Sequence, residues 1–144
     1  MLFLLLSCRW KLKKTYNMKK IANILVVDDD PDIGAMLKMM LEYKGYAVTL
    51  LSNANQTEQQ LSNGVTDLVI LDMLIAGTNG TDVCRSIRSN PLSAHIPVLM
   101  ISALPDARKI CIDAGANDFI SKPFEMQELL LKISNFLTLE SNKL

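Results

Sequence analysis

The chain has little cysteine, a single histidine and no long apolar run, and each shortage closes off a class of protein. Its three cysteines, Cys8, Cys84 and Cys111, are odd in number, far apart and form no CxxC. That argues against a disulfide framework and a zinc site, and it fits a reducing, cytoplasmic setting. The Asn-x-Thr sequons at Asn55 and Asn79 then mean nothing as glycan sites. His95, the only histidine, precedes the Ile96-Pro97 strand entry and reads as a surface loop residue, not a phosphocarrier. The opening apolar stretch, Met1 to Leu6, comes before its basic residues. A secretory signal has the reverse order and a core of about 7–15 apolar residues. Leu2 to Leu6 is far too short to span a bilayer. Acid is missing from residues 1–20, which hold six of the 15 Lys and Arg. Residues 21–144 therefore carry nine basic against 15 acidic side chains, a net of −6. An acidic body is a poor partner for the phosphate backbone of a nucleic acid.

The length of 144 residues suits one domain with a sizeable core. We expect that domain to span residues 21–140. Residues 1–20 read either as a basic tail weakly drawn to membranes or as sequence ahead of a true start at Met18. The second reading is preferred, because nothing before Met18 is patterned to fold.

Within the body, apolar runs alternate with helical patterns, without an internal linker. Ile24 to Val27 is a short β-branched run that ends in three aspartates. Asp30 and Pro31 suit the cap and first turn of a helix carrying Ile33, Met36, Leu37, Met40 and Leu41, which Gly45 stops. Ala47–Leu51 predicts a strand, and Asn53–Ser62 a short polar helix. Leu68 to Leu71 is continuously apolar, as in a strand buried on both faces, and it runs into Asp72. Thr81–Ser89 predicts a helix with Val83, Cys84 and Ile87 on one face, and Val98–Ile101 a strand ending at Ser102. Pro105–Ala114 predicts a helix, Asp118–Ser121 a strand, and the stretch after Lys122-Pro123 a last helix with a stripe of Met126, Leu129, Leu130, Ile133 and Leu137. Five strand–helix units in strict alternation predict an α/β fold, a doubly wound parallel sheet with helices on both faces. In such sheets, sites form at the carboxyl ends of the strands. The residues there are Asp28, Asp29, Asp72, Ser102 and Lys122.

Taken singly, each has a plain structural role available: Asp28 to Asp30 as turn and cap, Asp72 as a turn residue, Ser102 as a strand-end hydroxyl, Lys122-Pro123 as a helix entry. Together they point to chemistry. Three facing carboxylates raise one another's pKa unless a cation sits among them. Oxygen-only ligands suit a hard divalent ion such as Mg²⁺, which leaves room for a phosphoryl oxygen. An aspartate so placed can act as a nucleophile and form an aspartyl phosphate, with metal and Lys offsetting the charge that develops.

Four stretches carry a family resemblance: Ile24-Leu-Val-Val-Asp-Asp-Asp-Pro-Asp-Ile33, Asp67-Leu-Val-Ile-Leu-Asp72, Pro97-Val-Leu-Met-Ile-Ser-Ala103 and Ala114-Gly-Ala-Asn-Asp-Phe-Ile-Ser-Lys-Pro-Phe124. In this order and spacing the chain resembles a response-regulator receiver domain of two-component signalling. The resemblance implies a flavodoxin-like five-stranded sheet of order 2-1-3-4-5. It implies phosphorylation of Asp72, with Mg²⁺ held by Asp28, Asp29, Asp72 and the backbone carbonyl of Leu74. Ser102 becomes the switch hydroxyl, Phe119 the switch aromatic and Lys122 the phosphate-contacting cation, with a cis bond before Pro123. A histidine kinase or phosphotransfer protein would be the donor. The protein would catalyse no reaction beyond its own phosphorylation and dephosphorylation.

The chain also departs from the family. Ala76 stands where Pro is usual, which predicts a less rigid loop. The stretch from Ser102 to Gly115 is short, which predicts a trimmed fourth helix. Phe119 replaces the commoner Tyr. Leu74 and Leu104 lie where polar side chains often place the hydrolytic water, so a long-lived phosphoryl group is expected. No output domain follows Leu144, so the signal is expected to leave by contact with an unknown downstream protein, with no direct nucleic-acid binding. An aspartate-nucleophile phosphatase would want a second acid at Leu74. A flavin module would want a Ser/Thr/Gly-rich loop after the first strand, where three aspartates stand. The remaining alternative is a receiver-like interaction module that works without phosphorylation.

Overall fold

The structure, a computed structural model, describes residues 20–141. The readings of residues 1–19, the Met18 start and Cys8 among them, fall outside the described residues.

Three strands form the centre, and each is apolar at nearly every position. They are β1 (Asn23–Val27), β3 (Leu68–Asp72) and, late in the chain, β4 (Val98–Ser102). Every residue of β3 and β4 is buried, which explains why neither alternates in polarity. The edges are β2 (Ala47–Leu51) and β5 (Asp118–Ser121), and all neighbours pair in parallel in the order β2-β1-β3-β4-β5. The order is the one expected. Register brings the strand ends level: Val27 lies opposite Leu51 and Leu71, Asp72 opposite Ile101, and Ser102 opposite Ser121.

Helices cover both faces. On one face, α1 (Pro31–Tyr43) buries Leu37 and Leu41 beside Leu129 and Ile133 of the last helix, α5 (Met126–Ser141). The other face is covered by α2 (Thr57–Leu61), α3 (Gly80–Ser89) and α4 (Ala107–Asp113). Leu61, then Val83, Cys84 and Ile87, then Ala107 and Cys111 enter that core. Cys84 and Cys111 are free and buried, and burial pushes both thiols up, so they serve as packing. The Asp30 carboxylate caps α1 by accepting from the N–H of Asp32 and Ile33, and Pro31 follows it.

Three segments differ from expectation. The Asn53–Ser62 region splits into a 3-10 turn (Ala54–Gln56), begun by the Asn53 side chain, and the five-residue α2. The helix predicted from Pro105 starts only at Ala107, because Asp106 lies in the left-handed region at φ +58. At seven residues α4 is short. The turn region after Asp72 contains an antiparallel hairpin, Leu74–Ile75 with Thr78–Asn79, which no alternation announced.

Candidate functional site

The carboxyl ends of β1, β3, β4 and β5 meet in one shallow acidic cleft. Asp28 follows β1, and Asp72 and Ser102 end β3 and β4; these three are 3%, 8% and 2% exposed. Asp29 is exposed, yet it shares the cluster: one carboxylate oxygen each from Asp28, Asp29 and Asp72 lie within 4.8 Å of one another. Lys122 comes directly after β5. Its N–H donates to the Ser102 carbonyl at 2.8 Å, and the Lys122-Pro123 bond is cis. From there its Nζ donates to Asp72 Oδ2 at 2.8 Å and lies 3.6 Å from Asp28 Oδ2. The Leu74 N–H donates to Asp72 Oδ1 at 3.2 Å, and the Leu104 N–H to Ser102 Oγ at 3.0 Å. Phe119 stands in β5, half-buried and packed against the core under α3 and α4. Leu74 and Leu104, 58% and 43% exposed, flank the cleft.

Lys122 faces two of these carboxylates, Asp72 and Asp28. Burial pushes Asp28 above the usual carboxylate range, and the charge on Asp72 adds to it; the Asp30 N–H and Lys122 oppose this without cancelling it. Burial pulls Lys122 down, but its bond to Asp72 and the charges of Asp72 and Asp28 outweigh that, so its pKa is raised. Asp28 Oδ1 accepts from the Asp30 N–H at 2.9 Å, whereas the buried Oδ2 has no hydrogen-bond partner. A buried carboxylate oxygen without a hydrogen bond is costly. With neighbouring oxygens from two further aspartates, it fits a hard divalent cation.

Two residues shape this site without having been singled out for it. Gly80 passes so close to β3 that a Cβ would lie 2.2 Å from the Asp72 carbonyl oxygen; the hint in sequence was only a glycine behind the helix cap Asn79. The Ala76 N–H reaches Asp29 Oδ2 at 2.9 Å, and backbone groups leave no trace in residue type.

Residues 24–134 match the family model described as response regulator receiver domain. The chain is 37% identical over 114 residues to the uncharacterized transcriptional regulatory protein YkoG of Bacillus subtilis, covering 77% of this chain and 49% of that protein. Among solved structures, one described as a response regulator from Chloroflexus aurantiacus is 36% identical, with TM-score 0.78 over 83% of this chain and 99% of that one. The receiver domain of the sensor histidine kinase PA1611 from Pseudomonas aeruginosa, with magnesium in its active-site cleft, is 27% identical, with TM-score 0.75 over 83% and 99%. The chain belongs to the response regulator receiver domain family, a signalling family and not one of classical enzymes. It spans about half the length of the curated relatives it matches. What their names say of transcription and DNA concerns those proteins. No helix among the described residues is long and apolar enough to cross a membrane.

Proposed function

We propose that Asp72 accepts a phosphoryl group from a phosphohistidine donor, a histidine kinase or phosphotransfer protein, and that the modification is read by a protein partner. The observation that carries this reading is the convergence of Asp28, Asp29 and Asp72, with Lys122 against Asp72 and Asp28 Oδ2 left without a hydrogen-bond partner. A carboxylate oxygen of Asp72 attacks phosphorus; the O–P bond forms as the donor's N–P bond breaks, and the electron pair stays on the imidazole nitrogen. Asp28, Asp29, Asp72 and the Leu74 carbonyl are the groups that would hold Mg²⁺. When bound, the ion neutralises charge on the phosphoryl oxygens. Lys122, already 2.8 Å from Asp72, holds a further phosphoryl oxygen. An apolar cleft of about 360 Å³, lined by residues that include Ile33, Met36, Pro123 and Phe124, opens beside Lys122 and gives the donor a place to dock.

Ser102 carries the signal outward. Its hydroxyl accepts from the Leu104 N–H, and a phosphoryl oxygen on Asp72 draws it inward instead. Phe119 has no hydroxyl to hold it and follows by packing alone, which biases two pre-existing arrangements of the α4 and β5 surface. The body, acidic over residues 21–144, does not itself bind nucleic acid in this reading.

Hydroxylamine trapping tests the assignment at residue level. After acetyl phosphate and Mg²⁺, hydroxylamine is expected to convert Asp72, and no other aspartate, to the hydroxamate. Labelling elsewhere, or none, would contradict the assignment.

A further inference from the structure

Ala76 is in an unusual position for its type. It opens a two-residue hairpin turn, between the paired residues Ile75 and Thr78, with φ +25, and Gly77 follows at φ +79. Two successive positive φ values suit Asn-Gly or Gly-Gly; an L side chain at the first of them is disfavoured. Besides the hairpin pairing, a long-range contact reaches this turn: the Ala76 N–H donates to Asp29 Oδ2 at 2.9 Å, across 47 residues of sequence. The proline that the family resemblance leads one to expect here has no N–H to donate, and its ring fixes φ near −65°. The departure at position 76 therefore replaces a stiff loop residue with a hydrogen-bond donor aimed at the acidic cluster.

Asp29 is the exposed member of that cluster. Asp28 is fixed by burial and the Asp30 N–H, and Asp72 by Lys122 and the Leu74 N–H. Among the described residues, the Ala76 N–H is the group that hydrogen-bonds the Asp29 carboxylate. With it, an oxygen of Asp29 stays within 4.8 Å of oxygens of both other aspartates. Carboxylates that ligate metals are typically held by outer hydrogen bonds, and losing one costs about 10–100-fold in metal affinity.

We propose that Ala76 is a positioning residue for the metal site. Its backbone N–H holds the Asp29 carboxylate in the orientation that takes Mg²⁺, and it stays bonded when the ion is present. The inference rests on the metal-dependent reading of the cleft given above.

The test is a Mg²⁺ titration of the full chain followed by amide NMR, with amide hydrogen exchange as a second readout. Ala76→Pro removes the donor and is expected to weaken Mg²⁺ binding by about tenfold or more. Ala76→Gly keeps the N–H, tolerates positive φ and is expected to bind as the parent does. In the parent, the Ala76 amide is expected to exchange slowly both without and with saturating Mg²⁺. In Asp29→Ala that amide is expected to exchange at least several-fold faster, while those of β3 do not change. Parent-like Mg²⁺ binding by Ala76→Pro would overturn the proposal. So would an Ala76 amide that loses protection as Mg²⁺ binds, since the N–H would then be a competitor. Should Ala76→Pro fail to fold, the exchange measurements on parent and Asp29→Ala decide alone. Absence of any Mg²⁺ binding by the parent is a different failure: it removes the metal-dependent reading, and this inference with it.

Discussion

Asp28 shows what a buried carboxylate in the candidate site does to stability. Burial and the neighbouring Asp72 raise its pKa, so the folded chain favours its protonated form more than the unfolded chain does. That contribution is full below the ordinary carboxylate pKa and is lost as pH rises through the raised folded value, which leaves a penalty at neutral pH. Asp28→Asn is therefore expected to raise the metal-free stability at pH 7 by about 1 kcal/mol while abolishing the gain that Mg²⁺ gives the parent. Thermal melts with and without the ion check both, and a variant less stable than the parent without Mg²⁺ would contradict the charge argument. Leu74 and Leu104 offer a residue-scale test of timing. Neither has a polar atom in its side chain to orient a water, so Leu74→Asn is expected to shorten the phosphoryl lifetime by roughly tenfold. Decay of the phosphorylated species, followed by mass, measures it; an unchanged lifetime would remove the leucines from the account. Asp28, Asp29, Asp72, Ser102 and Lys122 could be picked out in the sequence because each follows or ends an apolar run. Ala76 stood out only as a departure from the usual Pro, and the N–H it contributes leaves no trace in residue type.

At the scale of elements, two short segments join the site to its surroundings. The start of α3 lies against the Asp72 backbone, with the Gly80 N–H donating to the Met73 carbonyl at 2.7 Å. Gly80→Ala would drive a methyl into the Asp72 carbonyl, and a loss of about 2–4 kcal/mol in denaturant unfolding is expected; a neutral effect would mean that α3 moves freely over the site. On the opposite flank, Asp118 of β5 ties α4 to α5, accepting from Arg108 at 3.3 Å and from Lys132 at 2.8 Å. Burial raises the Asp118 pKa, but the bonds from Lys132 and the Phe119 N–H and the two cations outweigh it, so it is lowered. A lowered carboxylate stabilises the fold above the unfolded-state pKa, and that support is lost as pH falls through the folded value. Asp118→Asn is thus expected to cost about 1 kcal/mol at pH 7, with the difference from the parent vanishing in acid. Urea titrations at several pH values would show it, and a pH-independent difference would point to packing instead. The strands were legible because unbroken apolar runs bounded by turn residues fix their limits. The edges of α2 and α4 and the hairpin were not: Asn53 and Asp106 settle their backbones by local turn chemistry, which competes with periodicity over segments this short.

For the whole molecule, the parallel sheet matters because it sends all five carboxyl strand ends to one edge, placing Asp28, Asp72, Ser102 and Lys122 together although they span 95 residues of sequence. Strict alternation of strand and helix made that arrangement readable before any coordinate. In the proposed reading, Ser102 and Phe119 would link Asp72 to the α4 and β5 surface, so a small event at Asp72 would bias that surface between two arrangements. The central claim is that this edge is a metal-dependent phosphoacceptor. Its most direct test is the intact mass of the purified chain after acetyl phosphate and Mg²⁺, beside Asp72→Asn and a metal-free control. A gain of about 80 Da, one phosphoryl group, is expected only where both the metal and Asp72 are present. No gain under any condition, or an equal gain in Asp72→Asn, would contradict the account and leave a receiver fold that works as a constitutive interaction module.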